Sequence, residues 1–187
     1  FIIFFPISIL FISIFFFLSL YKLFCVHFLI GASDQIYKKA LVTGGAGFIG
    51  SHLVDSLLGD GLEVICLDNF VSGKNANLEH ARSYGTRFKC FDCSIAHIDK
   101  IKNYFDGVDV IFNLAASKMT VCLSDPQLDL AVNAGGTLNI MLLAKEFKIK
   151  KVVHVSTGSV YGRPETLPTT EEHPFNPSSY YGVSKLA

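Results

Sequence analysis

The stretch LVTGGAGFIGSH, Leu41 to His52, limits what this chain can fold into more than any other. It places glycines at 44, 47 and 50 between an apolar run, KALVTG, and an amphipathic one, FIGSHLVDSLLGDG. A buried strand turning sharply into a helix needs residues without side chains at such points. Gly44 permits the turn, Gly47 lets a ligand approach the backbone, and Gly50 lets the helix pack tightly on the strand. The helix N-terminus then offers free N–H groups and a positive dipole end, which together favour a pyrophosphate. Gly44, Gly47, Phe48, Ile49 and Gly50 are therefore candidate phosphate-binding residues.

From Tyr37 onward the chain alternates short apolar segments with amphipathic ones. LEVICLD, RFKCFD, VDVIFNLAA and KKVVHVST read as four further strands. IAHIDKIKNYF reads as a helix, with Ile95, Ile98, Ile101 and Phe105 on one side. SDPQLDLAVNAGGTLNIMLLAKEF reads as one long helix over 126–147, capped by Asp125, with Pro126 in its first turn. The first helix ends at Gly59 or Gly61, and a last one begins near Ser179. Apolar strands alternating with helices predict an α/β fold, a doubly wound parallel sheet with flanking helices.

Two clusters carry chemistry. Asp68 ends the second strand, close to the ~20-residue offset at which a carboxylate meets the adenosine ribose hydroxyls. A carboxylate there repels a 2′-phosphate, which favours NAD over NADP. Asp92 ends the third strand and either bonds the adenine amino group or caps the next helix. Asn69, Cys93 and Leu114, neighbours at strand ends, join the cofactor-binding candidates. In SYYGVSKLA, Tyr181 and Lys185 are four apart, so a helix stacks them on one face, whereas Tyr180 points elsewhere. The ammonium is expected to lower the phenol pKa, making Tyr181 a general base, and to hold the nicotinamide ribose. Thr157, after the fifth strand, can place a hydroxyl near the reacting oxygen; Ser156 is a second hydroxyl beside it. Local turn hydrogen bonding is the competing reading for both.

Charge and cysteines narrow the field. The 16 basic and 16 acidic residues balance, so no nucleic-acid partner is expected. The five cysteines are odd in number, and CFDC (Cys90 to Cys93) lacks the second ligand pair of a zinc site. Reduced thiols in a cytosolic protein, with no metal, are the expectation. Residues 1–30 hold a single charge, Lys22, and form a separate apolar segment; 31–38 read as a linker. Residues 1–21 are long enough to span hydrocarbon as a helix, favourable by roughly 0.3 to 0.6 kcal/mol per Phe, Ile or Leu. Lys22, Lys38 and Lys39 would then hold the following domain in the cytoplasm. The same composition fits a misassigned start or, with less support, a signal peptide, and all three readings stay open.

The motifs TGGAGFIGSHL, LDNF, LAASK, NAGGT, STGSVYG, EEHPFNP and YYGVSK occur in the order found in extended short-chain dehydrogenases/reductases. From about Lys39 to Ala187 the chain resembles the NAD-dependent epimerase/dehydratase branch of that family. The resemblance implies a Rossmann-type domain, tightly bound NAD, a nucleotide-sugar substrate (UDP- or dTDP-linked) and the catalytic trio Thr157, Tyr181 and Lys185. It places Ala115 and Ala116 against the cofactor. Lys118 matches a cofactor-contacting lysine of galactose-type 4-epimerases or is a solvated loop residue. Asn133 matches the Asn of an N-x-x-G-T helix, with a role that is either functional or structural. Family dehydratases and decarboxylases carry acidic residues just after the catalytic Thr or Ser, where this chain has Gly158 and Ser159. The expectation is therefore an epimerase; the alternatives are a dehydratase, decarboxylase or reductase of the same fold, or a non-catalytic NAD-binding fragment. The resemblance also implies a homodimer through the long and final helices. The substrate domain is expected to be missing after Ala187, leaving 39–187 as a cofactor domain inactive alone.

Overall fold

The computed structural model describes residues 37–187. The apolar helix expected in residues 1–30, and most of the linker, lie outside the described residues. Among the described residues no helix is long and apolar enough to cross a membrane.

Five strands form one sheet: β1 (Lys39–Thr43), β2 (Glu63–Asp68), β3 (Phe88–Asp92), β4 (Val110–Asn113) and β5 (Lys151–His154). Their order is β3-β2-β1-β4-β5 and every pairing is parallel. The strands are apolar on both faces because both faces are covered. Ala40, Val42, Val64, Cys66, Val110 and Phe112 pack with Val54, Leu57 and Leu58 of α1 (Phe48–Gly59). The alternate residues Leu41, Ile65, Leu67 and Ile111 pack on the other face with Ile101, Phe105, Ile140 and Leu143. Fully burying side chains such as Leu41 and Leu57 stabilises by about 1.5–3 kcal/mol each. This is the doubly wound, Rossmann-type arrangement expected. The strand order reverses between β1 and β4, the switch point at whose C-terminal ends sheets of this kind form a ligand crevice.

α1 stops where the glycines require: Asp60 caps it and Gly61 follows at φ +91°. After β2 come a 3-10 turn and the short α2 (Glu79–Arg82). The helix expected over 95–105 is shorter, α3 (Ile98–Ile101) and one 3-10 turn, Lys102–Tyr104. Ile95 instead lies deep against Gly136, its carbonyl accepting from Asn139 Nδ2 at 2.9 Å.

The long helix over 126–147 is also corrected. α4 (Met119–Ser124), which the pattern did not suggest, precedes α5 (Pro126–Leu130), and Asp125 Oδ1 caps α5 through Leu128 N at 3.0 Å. A π turn, Ala131–Gly135, then widens the spiral before α6 (Gly136–Glu146). The turn centres on Asn133, whose side chain bonds across to other elements while its carbonyl accepts from Thr137 Oγ1 at 2.6 Å. α7 (Tyr180–Leu186) is capped by Ser179, whose Oγ accepts from Gly182 N at 3.0 Å.

Candidate functional site

The glycine loop lies at the C-terminal end of β1, at the switch point. Gly44 has φ +69° and donates its N–H to Leu67 O at 2.8 Å. A Cβ on Gly50 would stand 2.2 Å from Gly44 O. A Cβ on Gly47 would meet only Gly44 O, at 3.2 Å, and otherwise open space. α1 has no side-chain cap and no acidic residue in its first turn. Its exposed start, Phe48 and Ile49, therefore presents N–H groups that no protein side chain caps. A concave backbone cradle at an uncapped helix end is what a dinucleotide pyrophosphate requires.

Asp68 is buried beside this cradle. Its Oδ2 accepts from Ala46 N at 2.9 Å and its Oδ1 from Phe70 N at 2.8 Å. One carboxylate thus fixes both the glycine loop and the turn after β2, where Phe70 has φ +54°. Asn69 Oδ1 accepts from Val71 N at 3.3 Å in the same turn. Lys74 N and Asn77 Nδ2 close the segment over the loop, both donating to Ala46 O. Asp92 is in register with Asp68 on β3 and exposed. It does not cap the next helix, which begins six residues later with His97 as N-cap. Cys93 donates its N–H to Asp68 O at 3.1 Å, and burial pushes its thiol up to about 11.

Across the crevice, Leu114 N donates to Thr43 O at 3.2 Å and Ala115 N to Thr43 Oγ1 at 3.1 Å. Thr43 Oγ1 donates to Asn113 Oδ1 at 2.6 Å, and Asn113 Nδ2 lies 3.1 Å from His154 Nδ1. Burial, then the neighbouring Lys185 charge, pushes His154 down to about 4, so its ring is neutral at pH 7. Ala116 and Lys118 are exposed on the loop leading to α4.

Tyr181 and Lys185 lie on α7, beside the end of β5. Lys185 is buried and its Nζ donates to Val155 O at 2.8 Å. Burial pushes its ammonium down to about 8, against the opposing pull of Asp129. Tyr181 is half-buried, while Tyr180 is 71 % exposed. The expected lowering of the Tyr181 pKa is corrected: burial, then the Asp129 charge and Cys122, raise it. The Lys185 ammonium is directed at the Val155 carbonyl. Thr157 caps a 3-10 turn, Gly158–Val160, with its Oγ1 accepting from Ser159 N at 3.3 Å. It therefore makes the local turn bond and still lies at the C-terminal edge of β5.

Sequence reasoning overlooked a buried polar cluster behind α7. Asp129 Oδ1 accepts from Ser117 Oγ and from Asn133 Nδ2, the latter at 3.0 Å. Its Oδ2 accepts from Ser184 Oγ, and Asn133 Oδ1 accepts from Ser117 N at 2.9 Å. The available signal was spacing: Asp129 and Asn133 are four apart, which on a helix puts both polar side chains on one face.

A parallel sheet of this order, with a glycine cradle and an acid at the end of β2, defines a dinucleotide-binding α/β protein. The model of the NAD-dependent epimerase/dehydratase family matches residues 40–187, and the chain belongs to that family of enzymes. It is 41 % identical over 152 residues to the UDP-glucose 4-epimerase of Mycolicibacterium smegmatis, covering 80 % of this chain and 48 % of that one. It is 35 % identical over 159 residues to UDP-glucuronic acid decarboxylase 1 of Xenopus tropicalis, covering 82 % and 36 %. Among solved structures, a dTDP-glucose 4,6-dehydratase from Streptomyces venezuelae with NAD bound superposes with a TM-score of 0.73 at 35 % identity, covering 79 % of this chain and 48 % of that one. The chain spans about half the length, or less, of these relatives.

Proposed function

We propose that this chain is the cofactor-binding part of an NAD-dependent nucleotide-sugar epimerase acting on a UDP- or dTDP-sugar. The observation that supports the reading is that Tyr181, Lys185 and Thr157 lie beside the C-terminal end of β5, at the same edge of the parallel sheet as the glycine cradle and Asp68. NAD, when bound, supplies the acceptor and donor of hydride. Gly47 leaves room for its pyrophosphate, Gly44 and Gly50 allow the tight turn and close packing that hold the loop in place, and the N–H groups of Phe48 and Ile49 are nearby. Asp68, with Asn69 beside it, takes the adenosine ribose. Asp92 and Cys93 flank the adenine end; Leu114, Ala115, Ala116 and Lys118 line the nicotinamide side.

Tyr181 takes the proton of a sugar hydroxyl as the hydride leaves its carbon, and returns it after reduction from the other face of the ketosugar. Lys185 stabilises the phenolate and holds the nicotinamide ribose. An ammonium beside the phenol would favour the phenolate and so oppose the upward pull of burial on Tyr181. Thr157 donates to the reacting oxygen. Gly158 and Ser159 offer no carboxylate for the acid–base pair an elimination needs, which favours epimerisation over dehydration or decarboxylation. Similarity to a decarboxylase keeps that chemistry as the second reading.

Leu130, Tyr180 and Val183 are exposed and line an apolar groove with Pro126 and Gln127, which suits a homodimer through α5 and α7. The apolar run 1–21 suits a membrane attachment with the domain in the cytoplasm. The test is the complete protein with UDP-glucose, dTDP-glucose and, for the decarboxylase reading, UDP-glucuronic acid. Accumulation of the 4-epimer without net NADH supports the reading; a dehydrated or decarboxylated product refutes it. Tyr181→Phe should lower turnover by about 10²-fold or more while NAD still binds.

A further inference from the structure

We propose that Asp129 is a positioning residue that couples the cofactor loop to the helix carrying Tyr181 and Lys185. Its side chain is 1 % exposed, yet it receives hydrogen bonds from three elements. Ser117 belongs to the loop after β4, Asn133 to the π turn, and Ser184 to α7, directly before Lys185. Asn133 Nδ2 also donates to Ser184 Oγ at 3.0 Å, and its Oδ1 accepts from Ser117 N. Each of the three residues that meet Asp129 is thereby tied to at least one of the others.

Packing alone does not require this arrangement. A buried acid among neutral partners costs several kcal/mol of desolvation, and an apolar side chain would fill the space more cheaply. What the carboxylate supplies is acceptors for hydroxyls on two separate elements, together with a negative charge. The titratable groups around it are few. α4 contributes Cys122, α7 contributes Tyr180, Tyr181 and Lys185, the π turn contributes none, and its own helix adds only the capping Asp125. Lys185 in turn faces His154, which is neutral at pH 7. The Asp129 charge therefore acts on Lys185 and Tyr181 with little to oppose it, and favours the ammonium and the neutral phenol. Asp129 thus holds the loop and helix in register and keeps Lys185 charged in a buried position.

The proposal rests on the reading of Tyr181 and Lys185 given above, but its test needs no turnover. The Lys185 titration is followed by 13C NMR of lysine-labelled full chain, assigned with Lys185→Arg, and NAD+ affinity is measured by calorimetry. In Asp129→Asn, similar in shape but uncharged, the Lys185 midpoint should fall below about 8, and NAD+ affinity should drop about tenfold. General loosening of the cluster would hydrate Lys185 and move its midpoint up. A midpoint that rises or stays overturns the proposal. If Asp129→Asn does not fold, Ser117→Ala decides: it removes the loop bond and keeps the charge. NAD+ affinity should then fall severalfold with the Lys185 midpoint unchanged, and unaltered affinity overturns the proposal. Failure of the epimerase reading would appear only as absent or different product, which neither measurement uses.

Discussion

Replacing Gly44 by alanine tests the cradle most directly. The residue holds φ +69°, where an L side chain costs about 1–2 kcal/mol. Its new Cβ would also stand 2.8 Å from Ala115 N, 2.9 Å from Ala115 Cα and 3.0 Å from Leu114 C. All three are backbone atoms at the end of β4, so no side chain can swing aside. Relief requires β1 and β4 to separate at their C-terminal ends, an overpacking cost of about 1–3 kcal/mol. The sum is about 2–5 kcal/mol, a large part of the 5–15 kcal/mol typical of a domain. Gly85→Ala is the control: it sits at φ +61° with nothing within 4 Å of its Cβ, so it should lose only about 1–2 kcal/mol. Urea unfolding of both variants, at equal slope, measures the difference. Equal losses at the two positions would refute the claim that the loop is wedged against Ala115. A Gly44→Ala loss below about 1 kcal/mol would refute the strain argument as well.

Two further outcomes follow from the site. His154 has its pKa depressed to about 4 from the model-compound value of 6.5, so the unfolded chain binds its proton first. Its contribution is complete above pH 6.5 and lost as pH falls toward 4, worth at most about 3 kcal/mol. Unfolding free energy measured from pH 7 to 4.5 should fall less steeply in His154→Gln; parallel curves would count against it. Asp68→Ala removes the acceptor for Ala46 N and Phe70 N, each bond to a charged group being worth about 1.5–3 kcal/mol. NAD+ affinity should fall at least about tenfold by calorimetry, and wild-type affinity would show that the carboxylate is not part of the cofactor site.

Local chemistry by itself determined the architecture. The apolar strand runs, the three glycines and the acid after VICL each encode a backbone state or a burial pattern that neighbours in sequence suffice to specify. The placement of Tyr181 and Lys185 on one helix was legible for the same reason, since four-residue spacing on a helix fixes a shared face. What only the tertiary structure decided depends on partners distant along the chain. The break at Ala131–Gly135 exists because Asn133 bonds Ser117 and Ser184, the latter 51 residues away. Asp129 became visible for the same reason, its Ser184 partner lying 55 residues on. The raised Tyr181 pKa reflects burial first, then the Asp129 charge and the neighbouring Cys122, whereas the four-residue pair alone suggested a lowered one. Helical spacing reports which side chains share a face; it does not report what the fold later presses against that face, and the electrostatics of a buried site follow from the latter.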